Sequence, residues 1–180
     1  MRGPTGTVLL RCALLVGLLV VPACDDDPEQ PGTLPTRSQS LTPASTSASP
    51  DTPEEQVEAA VRAYYAELTR AAQTKDTSRL REMTTNGCPC RRPARIIDGF
   101  AKRGWSAPDA EFAVTLINVR DADSRQAVVE VKTADAPYSV VDRSGEVVDR
   151  IQSRTTHVDL SLISTTTGSW VIANEVDLEA

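Results

Sequence analysis

Cys88 and Cys90, separated only by Pro89, are the residues of this chain whose type and spacing most directly suggest chemistry. Outside a reducing compartment an isolated pair of thiols becomes a disulfide. Residues two apart have Cα atoms near the upper end of the range a disulfide tolerates, so the ring closes only over a turn, which Pro89 helps to fix. So small a loop removes little entropy from the unfolded chain, which puts the stabilisation at the weak end of about 0–5 kcal/mol. A weakly stabilising bridge is also a reducible one. Cys90 precedes a predicted helix and stands beside Arg91 and Arg92, and both the helix amino terminus and the cations favour its thiolate. A structural bridge is the first reading, thiol–disulfide exchange the second, and metal binding or intermolecular pairing the remainder. Two sulfurs and one distant histidine make a poor metal set, and neither a metal nor a cofactor is expected.

His157 is the only histidine, and Asp159 follows two residues on, so within a strand they share a face. A His/Asp dyad can transfer protons if that face is enclosed. Val158, Leu160 and Leu162 alternate with them onto the core side, which reads His157 and Asp159 as an exposed surface pair. By the same alternation Asn118 and Asn174 fall in register with inward apolar positions, and the Tyr64 hydroxyl approaches from the first helix. Tyr64, Asn118 and Asn174 are therefore candidate pocket residues, or else buried groups that satisfy one another and the backbone. This parity leaves the sheet without an inward carboxylate. Asp98, on the third predicted helix, reads as solvated as readily as poised, so no residue is assigned as catalytic. Arg91, Arg92, Arg95, Lys102 and Arg103 form a basic stripe on and before that helix, suited to an anionic partner or simply to solvent.

The elements that position these residues follow from local pattern. Thr52-Pro53-Glu54-Glu55 combines a capping box with proline at the first helical position, and Val57, Ala60, Val61, Tyr64, Leu68, Ala71 and Ala72 continue one apolar stripe to near Thr74. A short helix is predicted over Thr77–Met83, and a third from Arg92 to Arg103 with Gly104 as its stop. Beyond Trp105 the period shortens to two and β-branched residues dominate. Strands are expected at 111–120, 125–134, 138–142, 146–164 and 170–178, joined as an antiparallel meander in which the long fourth strand bends midway. Phe112, Val114, Leu116, Val129, Val131, Val158, Leu160, Leu162, Trp170, Ile172 and Val176 are expected on the helix-covered face. The fold class is α+β, with amino-terminal helices packed on a curved antiparallel sheet.

Ahead of this domain (53–180) lie two accessory segments. Residues 1–23 carry Arg2 and Arg11 around an apolar stretch too short to span a bilayer, the pattern of a signal peptide. Val21-Pro22-Ala23-Cys24 resembles the bacterial lipobox, which implies cleavage before Cys24 and attachment of diacylglyceryl and fatty-acyl chains such as palmitate there. Two or more chains anchor a protein stably. Residues 24–52 are rich in Pro, Ser and Thr, with Leu34 and Leu41 their only large apolar side chains, and read as a disordered tether spanning about 30 Å. The expected location is the outer face of the cytoplasmic membrane, domain outward.

The 180 residues carry 19 basic against 25 acidic side chains, a net charge of -6. Affinity for a phosphate backbone comes mainly from clustered Lys and Arg, so nucleic acid is not an expected partner. The element order, Ala63-Tyr64-Tyr65 in the first helix and the terminal Gly168-Ser169-Trp170-Val171-Ile172 strand resemble the cystatin-like cone of the nuclear-transport-factor-two superfamily, which includes ketosteroid isomerase and SnoaL-like cyclases. That resemblance implies an open sheet face on which relatives pair, hence a possible homodimer. Tyr64-Tyr65, Asp76-Thr77, Leu80, Cys88-Pro89-Cys90 and Gly104-Trp105 also resemble an actinobacterial lipoprotein family that brings no activity to carry over. The leading expectation is a lipid-anchored envelope protein with a non-enzymatic domain that binds a small ligand or an envelope protein. The alternatives are a thiol-disulfide active protein using Cys88 and Cys90, or a SnoaL-like isomerase or cyclase.

Overall fold

Thr52 and Glu55 cap each other as the sequence predicts: the Thr52 hydroxyl accepts from the Glu55 N–H at 3.2 Å, and the Glu55 carboxylate accepts from the Thr52 N–H at 3.1 Å. The computed structural model describes residues 52–178; the expected leader (1–23) and, Thr52 apart, the tether (24–52) with Cys24 lie outside the described residues. From the cap runs α1 (Pro53–Thr74), which ends at Lys75 in the left-handed conformation, φ 68°. Its inward stripe, with Val57, Val61, Tyr64, Leu68 and Ala71, is buried. Then come α2 (Ser78–Glu82), a single 3₁₀ turn at Pro89–Arg91, and α3 (Arg92–Arg103), stopped by Gly104 at φ 77°. Gly104 suits this left-handed position, and a Cβ there would also displace the exposed Arg143 side chain.

The strands are β1 (Phe112–Ala122), β2 (Gln126–Asp135), β3 (Tyr138–Val141), β4 (Val147–Ile151), β5 (Arg154–Ser164) and β6 (Trp170–Asp177). Four form one antiparallel sheet in the order β1-β2-β5-β6, while β3 and β4 pair with each other apart from it. The fold is the expected α+β class, helices followed by a curved antiparallel sheet. Its topology departs from a simple meander. The chain leaves the sheet after Asp135, makes the β3–β4 hairpin and returns as β5 beside β2. What reads as one bent strand over 146–164 is two strands, interrupted at Gln152-Ser153. The hairpin is held to the loop after α3 by a reciprocal pair of backbone hydrogen bonds between Ser106 and Val141, at 2.9 and 2.8 Å.

The inner face of the sheet is a series of cross-strand rungs given directly by the register. At one end stand Ala122, Ala127, Leu162 and Ile172. Next come Val119, Val129, Leu160 and Glu175, then Ile117, Val131, Val158 and Asp177. Val114, Thr133 and Thr156 form the fourth rung, and Phe112, Asp135 and Arg154 the fifth. Polarity therefore rises along the cone. Val129, Val131, Val158, Leu160 and Leu162 are essentially inaccessible, and each such side chain contributes about 1.5–3 kcal/mol through removal from water.

Three irregularities set this pattern. Thr115 and Arg120 in β1 and Ala173 in β6 are extra residues with no partner in the register. A bulge of this kind inserts one residue and reverses which face the following side chains take. Leu116 and Val176, expected inside, are accordingly 39% and 50% exposed. Ile117 and Val119 take the core positions in β1.

Candidate ligand cavity

The helices do not fill the polar end of the cone. A cavity of about 320 Å³ opens there, between α1 and α3, the β3–β4 hairpin and the last rungs of the sheet. Small-ligand sites begin near this size. Five aromatic rings line it: Tyr64 and Tyr65 from α1, Phe100 from α3, Phe112 from β1 and Tyr138 from β3. Tyr64 and Tyr65 meet edge to face with ring centroids 5.2 Å apart, and Phe112 meets Tyr138 in the same way at 6.1 Å. Beside these rings the sheet contributes Thr133, Asp135, Arg154, Thr156, Glu175 and Asp177, with Asp135 directly across from Phe112. Arg92 and Gln152 stand at the margin.

The carboxyls inside correct the expectation that the sheet has none. Glu175 and Asp177 follow the Ala173 bulge, which turns them inward opposite Leu160 and Val158. Asp135 lies at the last residue of β2, opposite Arg154. Burial pushes the Glu175 carboxyl above the ordinary range, and the neighbouring Asp177 charge adds to the effect against Arg154 and Arg92. Burial likewise raises Asp135, opposed by Arg154 and by the Thr133 hydrogen bond. Its Oδ1 is buried and accepts no hydrogen bond among the described residues. Both phenols of the Tyr64–Tyr65 pair are pushed up by burial first and by Glu175 second. The site thus keeps weakly acidic carboxyls facing neutral phenols and aromatic rings.

Of the residues singled out from the sequence, Tyr64 lines this cavity, and its hydroxyl donates to the Cys90 carbonyl at 2.9 Å. Asn118 and Asn174 do not: both are exposed on the outer face, displaced by the bulges at Thr115 and Ala173. Asn118 instead donates to Glu130 at 3.2 Å. It joins an outer-face cluster in which His157 Nε2 lies 2.7 Å from Glu130 and Arg120 bridges Glu130 and Asp159 at 3.1 and 2.8 Å. The hydrogen bonds of His157, Asn118 and Arg120 hold the Glu130 carboxyl down to about 2. His157 and Asp159 therefore lie on the outer face, away from the cavity, as the alternation predicts, but half-buried in this cluster and not as an exposed pair.

Cys88 and Cys90 are joined in a disulfide with Cα atoms 5.1 Å apart. Pro89 opens the 3₁₀ turn between them, and the Cys90 N–H points at Cys88 Sγ, 3.2 Å away. Both residues are buried. The turn carries straight into α3.

The basic stripe does not act as a unit. The Arg91 guanidinium is spent on the Thr84 hydroxyl at 3.0 Å and on the Arg81 and Thr84 carbonyls at 2.8 and 2.9 Å. Arg103 lies over the Trp105 ring at 4.3 Å. Asp98 accepts from Thr77 at 2.7 Å and pairs with Arg81. Among the described residues no group of three or more His, Cys, Asp or Glu is arranged to hold a metal ion, and no described helix is long and apolar enough to cross a membrane.

No family model matches the chain, and no curated protein matches it in sequence. Solved structures do match in shape. The intermembrane space region of the chloroplast protein ARC6 aligns with a TM-score of 0.54 at 15% identity, over 73% of this chain and 100% of that one. A Streptomyces avermitilis protein named as a dehydratase of the NTF2-like family aligns at 0.48 and 18% identity, over 73% and 100%. A Caulobacter vibrioides protein described as having a cystatin-like fold aligns at 0.46 and 14% identity, over 71% and 90%. At such identities the likeness concerns the fold alone.

Proposed function

We propose that this is a lipid-anchored protein of the outer face of the cytoplasmic membrane whose cone cavity binds a small ligand without transforming it. The observation that carries the reading is the cavity itself: about 320 Å³, lined by aromatic rings and by charged groups. Such a lining suits a molecule with an apolar body and one polar group. The anchor rests on the lipobox-like Val21-Pro22-Ala23-Cys24 after a short apolar leader, and the tether on residues 24–52. A decisive test labels cells with a palmitate analogue and compares the protein with its Cys24→Ala variant, then screens the purified protein by thermal shift against a small-molecule library. Label lost in the variant, together with hits suppressed by Leu68→Trp at the cavity wall, supports the proposal. Undiminished label in the variant removes the anchor; hits insensitive to Leu68→Trp remove the cavity.

A second reading, acid–base catalysis of the isomerase or cyclase kind, is favoured by one specific observation. Asp135 and Glu175 bring carboxyls with raised pKa values into a partly apolar cavity, where such a group can take a proton from carbon or give one back. Turnover of a cavity ligand that is abolished by Glu175→Gln or Asp135→Asn would replace binding with catalysis. Thiol exchange is the weakest reading, because attack on a disulfide needs access to sulfur and both cysteines are covered.

A further inference from the structure

We infer that the ligand of the cavity is a protonated amine carried on an aromatic or similarly flat apolar body, with its ammonium group received between Glu175 and Asp177. The inference rests on the reading of the cavity as a ligand site and adds its chemical class.

The charges lining the cavity do not balance. Three carboxylates, Asp135, Glu175 and Asp177, face two guanidiniums, Arg92 and Arg154. Arg154 stands directly opposite Asp135 in the register of β2 and β5, and its charge acts on Asp135 and Glu175 alike. Glu175 and Asp177 remain on the inner face of one strand, two residues apart, and so point the same way. Against these two, the exposed Arg92 at the start of α3 is the other guanidinium of the lining. The local excess is negative, and a cation placed between the two carboxylates relieves their repulsion.

The aromatic lining suits the same guest. An aromatic ring attracts a cation at its face and packs against a flat apolar group, and Tyr65, Phe100 and Phe112 all line the cavity. An anionic guest would meet three carboxylates there.

Three probes that share one ring and differ in the head group separate the possibilities: 2-phenylethylamine, 2-phenylethanol and phenylacetate. Each is titrated into the full chain in a neutral detergent at pH 7 by isothermal calorimetry, with Asp177→Asn and Glu175→Gln alongside. Asp177 is exposed, so its variant keeps the core intact. The amine should bind about tenfold or more tighter than the alcohol, and Asp177→Asn should erase most of that difference while leaving the alcohol unchanged. Equal binding of amine and alcohol, or a preference for phenylacetate, would overturn the amine inference while leaving the cavity a ligand site. Binding of none of the three, with the library hits also insensitive to Leu68→Trp, would overturn both.

Discussion

The Tyr64 hydroxyl and the Cys90 carbonyl, 26 residues apart, meet in a buried hydrogen bond of 2.9 Å that ties α1 to the disulfide turn ahead of α3. Both helices wall the cavity, so this bond sets the spacing between two sides of the candidate site. Tyr64 also carries the edge-to-face contact with Tyr65, so one side chain links the closed core to the open end.

Tyr64→Phe removes the donor and leaves the buried Cys90 carbonyl without this bond. The expected cost is about 1–3 kcal/mol. Urea denaturation of the two proteins, compared at constant m-value, measures it. An unchanged midpoint would mean that the carbonyl finds another partner and that the bond does not set the helix spacing.

The two groups of carboxyls predict opposite responses to pH. Glu175 has a folded pKa above its unfolded value, so the folded state holds its proton more firmly and stability falls as pH rises through the carboxylate range. Glu175→Gln should therefore be more stable than the parent at pH 7, with the gap closing towards pH 4. Glu130, held down to about 2, behaves in the reverse sense. Its contribution is present above the ordinary glutamate pKa and is lost as the pH falls towards 2. Glu130→Gln should be the less stable protein at pH 7, converging on the parent in acid. Midpoints of urea unfolding between pH 3 and pH 8 decide both, and parallel curves for either variant would refute its half of the prediction.

The cysteine pair should behave as a covered staple. Native protein in mild reductant should resist alkylation of Cys88 and Cys90, and react promptly once urea unfolds it. The double variant Cys88→Ala/Cys90→Ala should fold with a loss of about 1–2 kcal/mol, the value for so small a loop. Rapid alkylation of the native protein near the potential of a glutathione pool, about -200 mV, would bring thiol exchange back as the leading account.

The helical half was open to reading because its signals are local. A capping box, a proline at the first helical position, a stripe at three- and four-residue spacing and a stop glycine each involve neighbours in the chain, and α1 and α3 lie where these signals put them. The sheet depends on register, which a single extra residue changes. Reading strict alternation carries Asn118, Asn174, Leu116 and Val176 inside, whereas the bulges carry them out and bring Glu175 and Asp177 in. In β1 a trace was present: Phe112, Val114, Ile117 and Val119 are apolar at spacings of two, three and two, the signature of one inserted residue. In β6 apolar residues occupy both parities, Trp170, Ile172 and Val176 on one and Val171 and Ala173 on the other, so nothing in the pattern marks Ala173 as the break. The acidic side of the cavity was hidden by that one residue.

The β3–β4 hairpin has no strand of the main sheet as its neighbour, yet it supplies Tyr138 and Ile151 to the cavity. Changes at its exposed positions can therefore reshape part of the cavity lining without touching the pairing of the four-stranded sheet. One part of the cavity lining is thus built outside the main sheet, and a lineage or a protein engineer can revise it while keeping the sheet's register.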